Sequence, residues 1–184
     1  MQQSWYAFGC GRNFETGREI GCGTGLNFPL LQKEVGPEGK IIGVDLTEAM
    51  LDHARRRVEE NGWSNVELVQ GDAALYQFPS DVDGVISTFA LTLCLEYDAV
   101  IRNGCTALKP GKRWVILDLK MPSGWLSRLA PLLIFLTKPF GVTADLAARH
   151  PWESINKYMK NTSMTELYMG FVYIASGERG KNGC

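Results

Sequence analysis

The chain has 184 residues, is 45% hydrophobic, and balances 19 Lys+Arg against 20 Asp+Glu for a formal net charge of −1. That is long enough for one well-buried core, and too apolar and too nearly neutral for a disordered chain or a polyelectrolyte. The balance is uneven: residues 1–100 hold 7 Lys/Arg against 15 Asp/Glu, and residues 101–184 hold 12 against 5. The basic second half suits an anionic surface such as a lipid headgroup layer, while solvated surface charge accounts for it equally simply. Basic clusters flanked by aromatics are absent, so no nucleic-acid partner is expected. The five cysteines (Cys10, Cys22, Cys94, Cys105, Cys184) show no paired or metal-like spacing and there are two histidines, so no metal is expected. A reduced, cytoplasmic setting follows as the expectation, with no leader-like apolar run among the first residues.

In chain order, residues 1–17 read as a short cap carrying Trp5, Tyr6 and Phe8. A Gly-rich turn over Glu19–Gly25 follows. Lys40–Leu46 is predicted as a strand, and Thr47–Asn61 as a helix with a capping hydroxyl at Thr47 and Glu48 in its first turn. Met50, Leu51, Ala54 and Val58 mark one face of that helix. Val66–Gln70 and Gly84–Thr88 read as strands, Leu95–Leu108 as a helix, Arg113–Leu119 as a strand, and Gly170–Gly177 as the closing strand. Near-continuous apolar strands alternating with helices predict an α/β, doubly wound, mainly parallel sheet covered on both faces. Ligands bind such sheets beyond the carboxyl ends of the strands, and Gly21–Gly25, Asp45, Asp72 and Ser87 all follow predicted strands. They should converge on one edge.

The chemistry is concentrated in Glu19-Ile20-Gly21-Cys22-Gly23-Thr24-Gly25 and Val44-Asp45. Alternating glycines allow a sharp turn and a close ligand approach. A carboxylate one helix and one strand later is placed to hydrogen-bond a ribose diol. A dinucleotide loop needs its third glycine where this chain has Leu26, which disfavours a nicotinamide oxidoreductase. Glu19 would repel a pyrophosphate but attract an α-ammonium, so the loop calls for a ligand with an amino-acid end and a ribose end. S-adenosylmethionine has both.

The pattern Glu19-x-Gly21-x-Gly23-x-Gly25 with Val44-Asp45 resembles the first two motifs of class I S-adenosylmethionine-dependent methyltransferases. Gly71-Asp72-Ala73 resembles the family's adenine-binding turn, Asp83-Gly84-Val85-Ile86-Ser87 its fourth strand, and Leu108-Lys109-Pro110-Gly111-Lys112 the turn into its fifth. The resemblance spans residues 17–120 and implies a seven-stranded, Rossmann-like fold with S-adenosylmethionine as cofactor and S-adenosylhomocysteine as product. Carried onto this chain, it implies cofactor contacts at Glu19, Gly21, Cys22, Gly23, Gly25, Asp45, Leu46, Met50, Gly71, Asp72, Ala73, Ser87, Phe89 and Ala90. Each has a plainer reading beside it. Asp45 could cap the next helix, Asp72 could serve a turn, Met50 and Phe89 could be core, and Cys22, with no basic partner in view, could be a small loop residue rather than a nucleophile. His53 is expected on an exposed helix face and His150 in a structural turn.

Methyl transfer from a sulfonium needs alignment and exclusion of water more than a base. Where a proton must leave the acceptor, Tyr6, Asp118, Tyr158 and Tyr168 are the candidates. Residues 121–165 read as a substrate-side insertion or lid. Within it Trp125–Leu136 is strongly apolar, too short to span a bilayer, interrupted by Pro131, and followed by Lys138. It suits either a greasy acceptor and a peripheral membrane contact over 125–138, or a helix packed on the sheet. With the closing strand, it is similar to the ubiquinone/menaquinone C-methyltransferase and phospholipid N-methyltransferase groups. The expected substrate is therefore a small lipophilic acceptor, a phospholipid amine or a quinone precursor; oligomeric state is not legible. The chain departs from the family pattern at Thr16-Gly17-Arg18, where an apolar run is usual, and in its shortened N-terminal cap. A cofactor-binding domain without turnover therefore stands as the alternative.

Overall fold

The computed structural model describes residues 15–36, 38–121, 148–181 and 183–184. Eleven regular elements follow in order among them: β1 (Thr16–Ile20), α1 (Phe28–Val35), β2 (Lys40–Asp45), α2 (Glu48–Glu60), β3 (Val66–Gln70), β4 (Val82–Thr88), α3 (Tyr97–Ala107), β5 (Leu108–Leu119), α4 (Pro151–Tyr158), β6 (Lys160–Leu167) and β7 (Val172–Glu178). Short 3-10 turns cover Leu91–Leu93 and Tyr168–Gly170. The strands form one seven-stranded sheet in the order β3-β2-β1-β4-β5-β7-β6, with β7 antiparallel to both its neighbours and the other pairings parallel. The chain reverses its direction of travel across the sheet between β1 and β4. At such a switch point the loops after the two strands diverge and leave a crevice.

The two faces are filled by different helices. Phe28, Leu31 and Val35 of α1 and Leu51 and Ala54 of α2 pack with Ile41, Ile86, Val115 and Leu117 on one face. Val100, Ile101 and Cys105 of α3 and Ile155 of α4 pack with Val85, Trp114, Ile116 and Tyr173 on the other. The central strands β1, β2 and β4 are buried on both sides, which suits the apolar stretches Ile41–Val44 and Val85–Ile86 and leaves Arg18 and Glu19 of β1 buried with them.

Some expectations need adjustment. Thr47 stands at the N-cap of α2, but its side chain makes no capping bond; the Asp45 carboxylate takes the Thr47 N–H instead, at 2.9 Å. β5 starts at Leu108 rather than Arg113, because Leu108 pairs with Val82 across a register irregularity. The far part of the stretch expected as a lid over 121–165 is framework: α4 packs between α3 and the sheet, and β6 supplies the edge strand. The expectations for 125–138, Tyr6 and the 1–17 cap up to residue 14 lie outside the described residues. Cys105 and Cys184, expected unpaired, form a disulfide with Cα atoms 6.2 Å apart. No helix among the described residues is long and apolar enough to cross a membrane.

Buried Arg18, the departure noted in β1, lies on the α3 face of the sheet in a setting whose largest effect on its guanidinium is desolvation, partly offset by Tyr76. Gly104 shows how tightly that face is closed: a Cβ there would come within 2.2 Å of the fully buried Trp114 ring. Helix propensity favours Gly104→Ala, yet overpacking against Trp114 should win and destabilise by about 1–3 kcal/mol. Chemical denaturation checks the sign, and a stabilised variant would mean that the ring shifts freely.

Candidate functional site

Residue Glu19 is the last but one of β1, 1% exposed, on the α1 face of the sheet. Its Oε1 accepts a hydrogen bond from Asn27 Nδ2, while its Oε2, equally buried, has no partner among the described residues. Desolvation pushes the carboxyl up to about 8, against the lowering effect of the Asn27 bond, and Asp45 pushes the same way as burial. A buried, half-satisfied acid costs free energy unless a ligand completes it.

Asn27 was not legible as a site residue. It occupies the N-cap of α1, where a capping side chain is ordinary, but it makes no capping bond. Its amide bridges Glu19 and Thr88 Oγ1, the latter at 3.0 Å, and so ties the end of β1 to the end of β4. No residue-type signal separates this use from a helix cap.

The glycines perform distinct tasks. Gly21, Gly23 and Gly25 all have positive φ, at 69°, 53° and 72°. A Cβ on Gly21 would lie 2.2 Å from Ala90 Cβ, and one on Gly25 would enter the Phe28 ring at 2.6 Å, whereas one on Gly23 meets nothing within 4 Å. Gly21 and Gly25 are therefore required by the protein's own packing, and Gly23 by its backbone angle with open space beside it. The Gly21 and Cys22 N–H groups both donate to Val44 O, which seats the loop on β2.

Asp45 ties two segments together. Oδ2 accepts the Gly23 N–H at 2.8 Å and Oδ1 the Thr47 N–H at 2.9 Å, joining the Gly loop to the start of α2. Each oxygen keeps a second acceptor site for a ribose hydroxyl. Gly71 N–H donates to Asp45 O, which brings the Gly71-Asp72-Ala73 turn alongside. Asp72 Oδ1 accepts from Ala74 N–H, so its turn role is real and leaves the second oxygen over. Leu46 and Met50 are exposed, which rules out the core reading for Met50.

On the other side of the loop, Ser87 is fully buried with its hydroxyl unpartnered among the described residues, and Ala90 rests on Gly21. Phe89 is half-exposed at φ 51°, an unusual conformation for a bulky residue. The structure thus brings Glu19, Gly21, Cys22, Gly23, Gly25, Asp45, Gly71, Ser87, Phe89 and Ala90 to one sheet edge. Cys22 is buried, and burial with the nearby Glu19 and Asp45 raises its thiol, the opposite of an activated nucleophile.

The candidates for proton removal do not converge there. Tyr158 donates its hydroxyl to Asp98 Oδ2 at 2.7 Å, tying α4 to α3. Tyr168 lies exposed in the turn between β6 and β7, several strands from the Gly loop. Asp118 is buried with each carboxylate oxygen on a backbone N–H, Thr92 at 2.9 Å and Leu119 at 2.8 Å. His53 is exposed, and His150 pairs with Glu153 and stacks on Trp152 at the start of α4, a structural turn as expected. Among the described residues no cluster of His, Cys, Asp or Glu could hold a metal.

Residues 18–111 match the family described as a methyltransferase domain. Demethylmenaquinone methyltransferase of Listeria welshimeri is 30% identical over 164 residues, 85% of this chain and 70% of that protein. Geranyl diphosphate C-methyltransferase of Streptomyces coelicolor, solved with S-adenosyl-L-homocysteine, superposes with TM-score 0.72 at 15% identity, covering 97% of this chain and 76% of that one. A phosphoethanolamine N-methyltransferase of Haemonchus contortus, also solved with S-adenosylhomocysteine, gives 0.72 at 16% identity, covering 95% of this chain and 51% of that one. The chain belongs to the S-adenosylmethionine-dependent methyltransferases. The unsatisfied Glu19 Oε2 and the open space at Gly23 fit the cofactor's charged amino-acid end.

The Glu19 environment makes opposite predictions for stability and for binding. Its folded-state carboxyl stands at about 8 against an ordinary 4.5, so the folded protein holds a proton that the unfolded chain releases between those values. Stability from this group is present below 4.5 and lost as pH rises toward about 8. An ammonium partner needs the ionised acid, so cofactor affinity should rise over the same interval with release of a proton. Glu19→Gln should therefore raise the ligand-free melting temperature at pH 8 while weakening S-adenosylhomocysteine binding at least tenfold. Calorimetry in buffers of different ionisation enthalpy reads the proton directly, and pH-independent affinity would remove Glu19 from the ammonium site.

Proposed function

From this family membership we propose that the protein methylates a small lipophilic acceptor, and that the acceptor is a prenylated quinol precursor rather than a phospholipid amine. The observation that carries the choice is the apolar segment after β4. Phe89, Leu93 and Leu95 are 45%, 61% and 72% exposed at the edge where Ala90 touches the Gly loop. Exposed apolar groups next to a cofactor loop favour a ring and an isoprenoid tail over a charged headgroup. The Listeria relative, named for a demethylmenaquinone substrate, supports the same class.

In this reading Glu19, with Gly21, Cys22, Gly23 and Gly25, holds the amino-acid end of S-adenosylmethionine. Asp45 takes the ribose; Leu46, Met50, Gly71, Asp72 and Ala73 surround the adenine; Ser87, Phe89 and Ala90 flank the methyl group. The bound cofactor supplies an electrophilic methyl group on a sulfonium with a good leaving group. The chain's own residues align donor and acceptor and keep water away, which is where most of the acceleration in such a displacement lies. Among the described candidates Asp118, Tyr158 and Tyr168, none is a free base in the site; in this scheme the acceptor's proton passes to water. A peripheral membrane contact through 125–138 would deliver such an acceptor, and the enzyme would then work at the cytoplasmic surface of a membrane.

Turnover with methyl-labelled S-adenosylmethionine tests the reading, using a short-chain demethylmenaquinol and phosphoethanolamine as rival acceptors. Label should appear on a ring carbon of the quinol. Label on phosphoethanolamine alone would refute the choice, and label on neither would favour a binding domain without turnover. Asp45→Ala should weaken S-adenosylhomocysteine binding at least tenfold by removing both the ribose acceptor and the Gly23 tie. Arg128→Glu with Lys138→Glu should reduce binding to anionic vesicles, and unchanged binding would end the membrane proposal.

A further inference from the structure

The segment that follows β4 is held in a strained shape from the side away from the Gly loop. Phe89 sits at φ 51°, a conformation that for a bulky side chain persists only when surrounding bonds over-determine it. Those bonds come from the end of β5. Phe89 N–H donates to Leu117 O at 2.8 Å, Thr92 N–H to Asp118 Oδ2 at 2.9 Å, and the Thr92 hydroxyl to Leu119 O at 3.2 Å. From α4's approach, Arg149 Nη1 donates to Thr92 O at 2.8 Å. Asp118 is 1% exposed, and its other oxygen accepts the Leu119 N–H, so one carboxylate braces a strand end and the turn together.

The same segment faces the Gly loop. Ala90 Cβ stands against Gly21, where no added Cβ fits, and Thr88 Oγ1 accepts from Asn27, whose amide also holds Glu19. A chain of direct contacts therefore runs from Asp118 through Thr92 and the Leu91–Leu93 turn to Ala90, and on to the loop.

We propose that Asp118, with Arg149, is a positioning residue for the cofactor pocket: by bracing Thr92 it holds Ala90 and Phe89 against the Gly loop that receives the donor. Asp118 has no part in proton transfer in this proposal, because it is 1% exposed and its oxygens face the Thr92 and Leu119 N–H groups. Its carboxylate acts through the turn. If the brace is loosened, Phe89 relaxes toward ordinary angles, Ala90 leaves Gly21, and the pocket loses one wall. This rests on the placement of the donor's amino-acid end at Glu19.

The test is calorimetric titration of the full chain with S-adenosylhomocysteine, which needs no acceptor. Asp118→Asn leaves one good acceptor for two N–H groups and should weaken binding roughly tenfold, with Arg149→Ala giving a smaller loss of about threefold. The two losses should be less than additive, since both act on Thr92. In an Ala90→Gly background, where the contact on Gly21 is already gone, Asp118→Asn should cost little further affinity. Hydrogen exchange should rise at residues 89–94 in Asp118→Asn without a general loss of protection. Ser154→Ala, which removes a bond to Asp98 in the same helical layer, should lower stability and leave affinity unchanged. The arms separate cleanly. Wild-type affinity in Glu19→Gln would overturn the donor site itself. Lost affinity in Glu19→Gln with wild-type affinity in both Asp118→Asn and Arg149→Ala would overturn the positioning role alone. Equal loss in Ser154→Ala would reduce it to general destabilisation, and an Asp118→Asn loss undiminished in the Ala90→Gly background would break the route through Ala90.

Discussion

Everything at the active edge is arranged around one carboxylate that the protein leaves half-bonded. Glu19 is buried in the central strand, satisfied on one oxygen by Asn27 and on the other by nothing among the described residues. An unpaired buried acid of this kind resists ionisation, which is why burial holds it near 8 rather than near 4.5. The neighbouring groups are already in use: Asn27 bridges Glu19 and Thr88, and Asp45 bridges Gly23 and Thr47. In the proposed reading a cationic ligand end at Glu19 would complete the bonding, so that an unmet hydrogen-bond demand contributes to binding.

The position of that demand follows from topology. The sheet order places β1 between β2 and β4, so the loops after β1 and β4 travel in opposite directions and cannot cover each other. Val44 O anchors the first loop from β2, and Ala90 meets it from β4. The turn at Gly71 is drawn in by Asp45 O, which accepts the Gly71 N–H. Backbone groups at strand ends share this work with side chains, among them Glu19, Asp45, Asn27, Thr88, Ala90 and Asp118.

Much of this was legible because it is encoded locally. The glycine spacing, the acid at Asp45, and the helix face of Leu51, Ala54 and Val58 are signals within short windows, and β3 falls on Val66–Gln70 as read from its apolar run. What escaped is non-local. β6 reads Lys-Asn-Thr-Ser-Met-Thr-Glu-Leu and is exposed along almost its whole length, so it has neither an apolar run nor alternation; its strand character comes from pairing with β7. The Cys105–Cys184 bridge closes over 79 residues and has no spacing signature. Asn27 looks like any helix cap until β4 brings Thr88 to it. Asp118 was expected as a proton acceptor; its bond to Thr92, 26 residues away in the chain, has no signal within a short window.

The buried polar atoms without partners among the described residues, Arg18 Nε and Tyr173 OH included, do not all lie in one setting. Trp114 Nε1 and Arg179 Nε lie in or beside the α3 packing, where the Trp114 ring fills the space left by Gly104 and Arg179 donates to Leu108 O through another nitrogen. There the large area buried outweighs one missing bond, since a net hydrogen bond contributes about 0.5–1.5 kcal/mol and a buried aromatic considerably more. Glu19 Oε2 and Ser87 Oγ belong instead to the ends of β1 and β4, next to a loop where a Cβ on Gly23 would meet nothing within 4 Å and to the half-exposed Phe89. An orphan inside a filled core is a by-product of shape. Orphans at the ends of β1 and β4, the strands that flank the switch point, are ones that a ligand bound at the Gly loop would satisfy. That contrast, rather than burial alone, is what favours this edge as the candidate site.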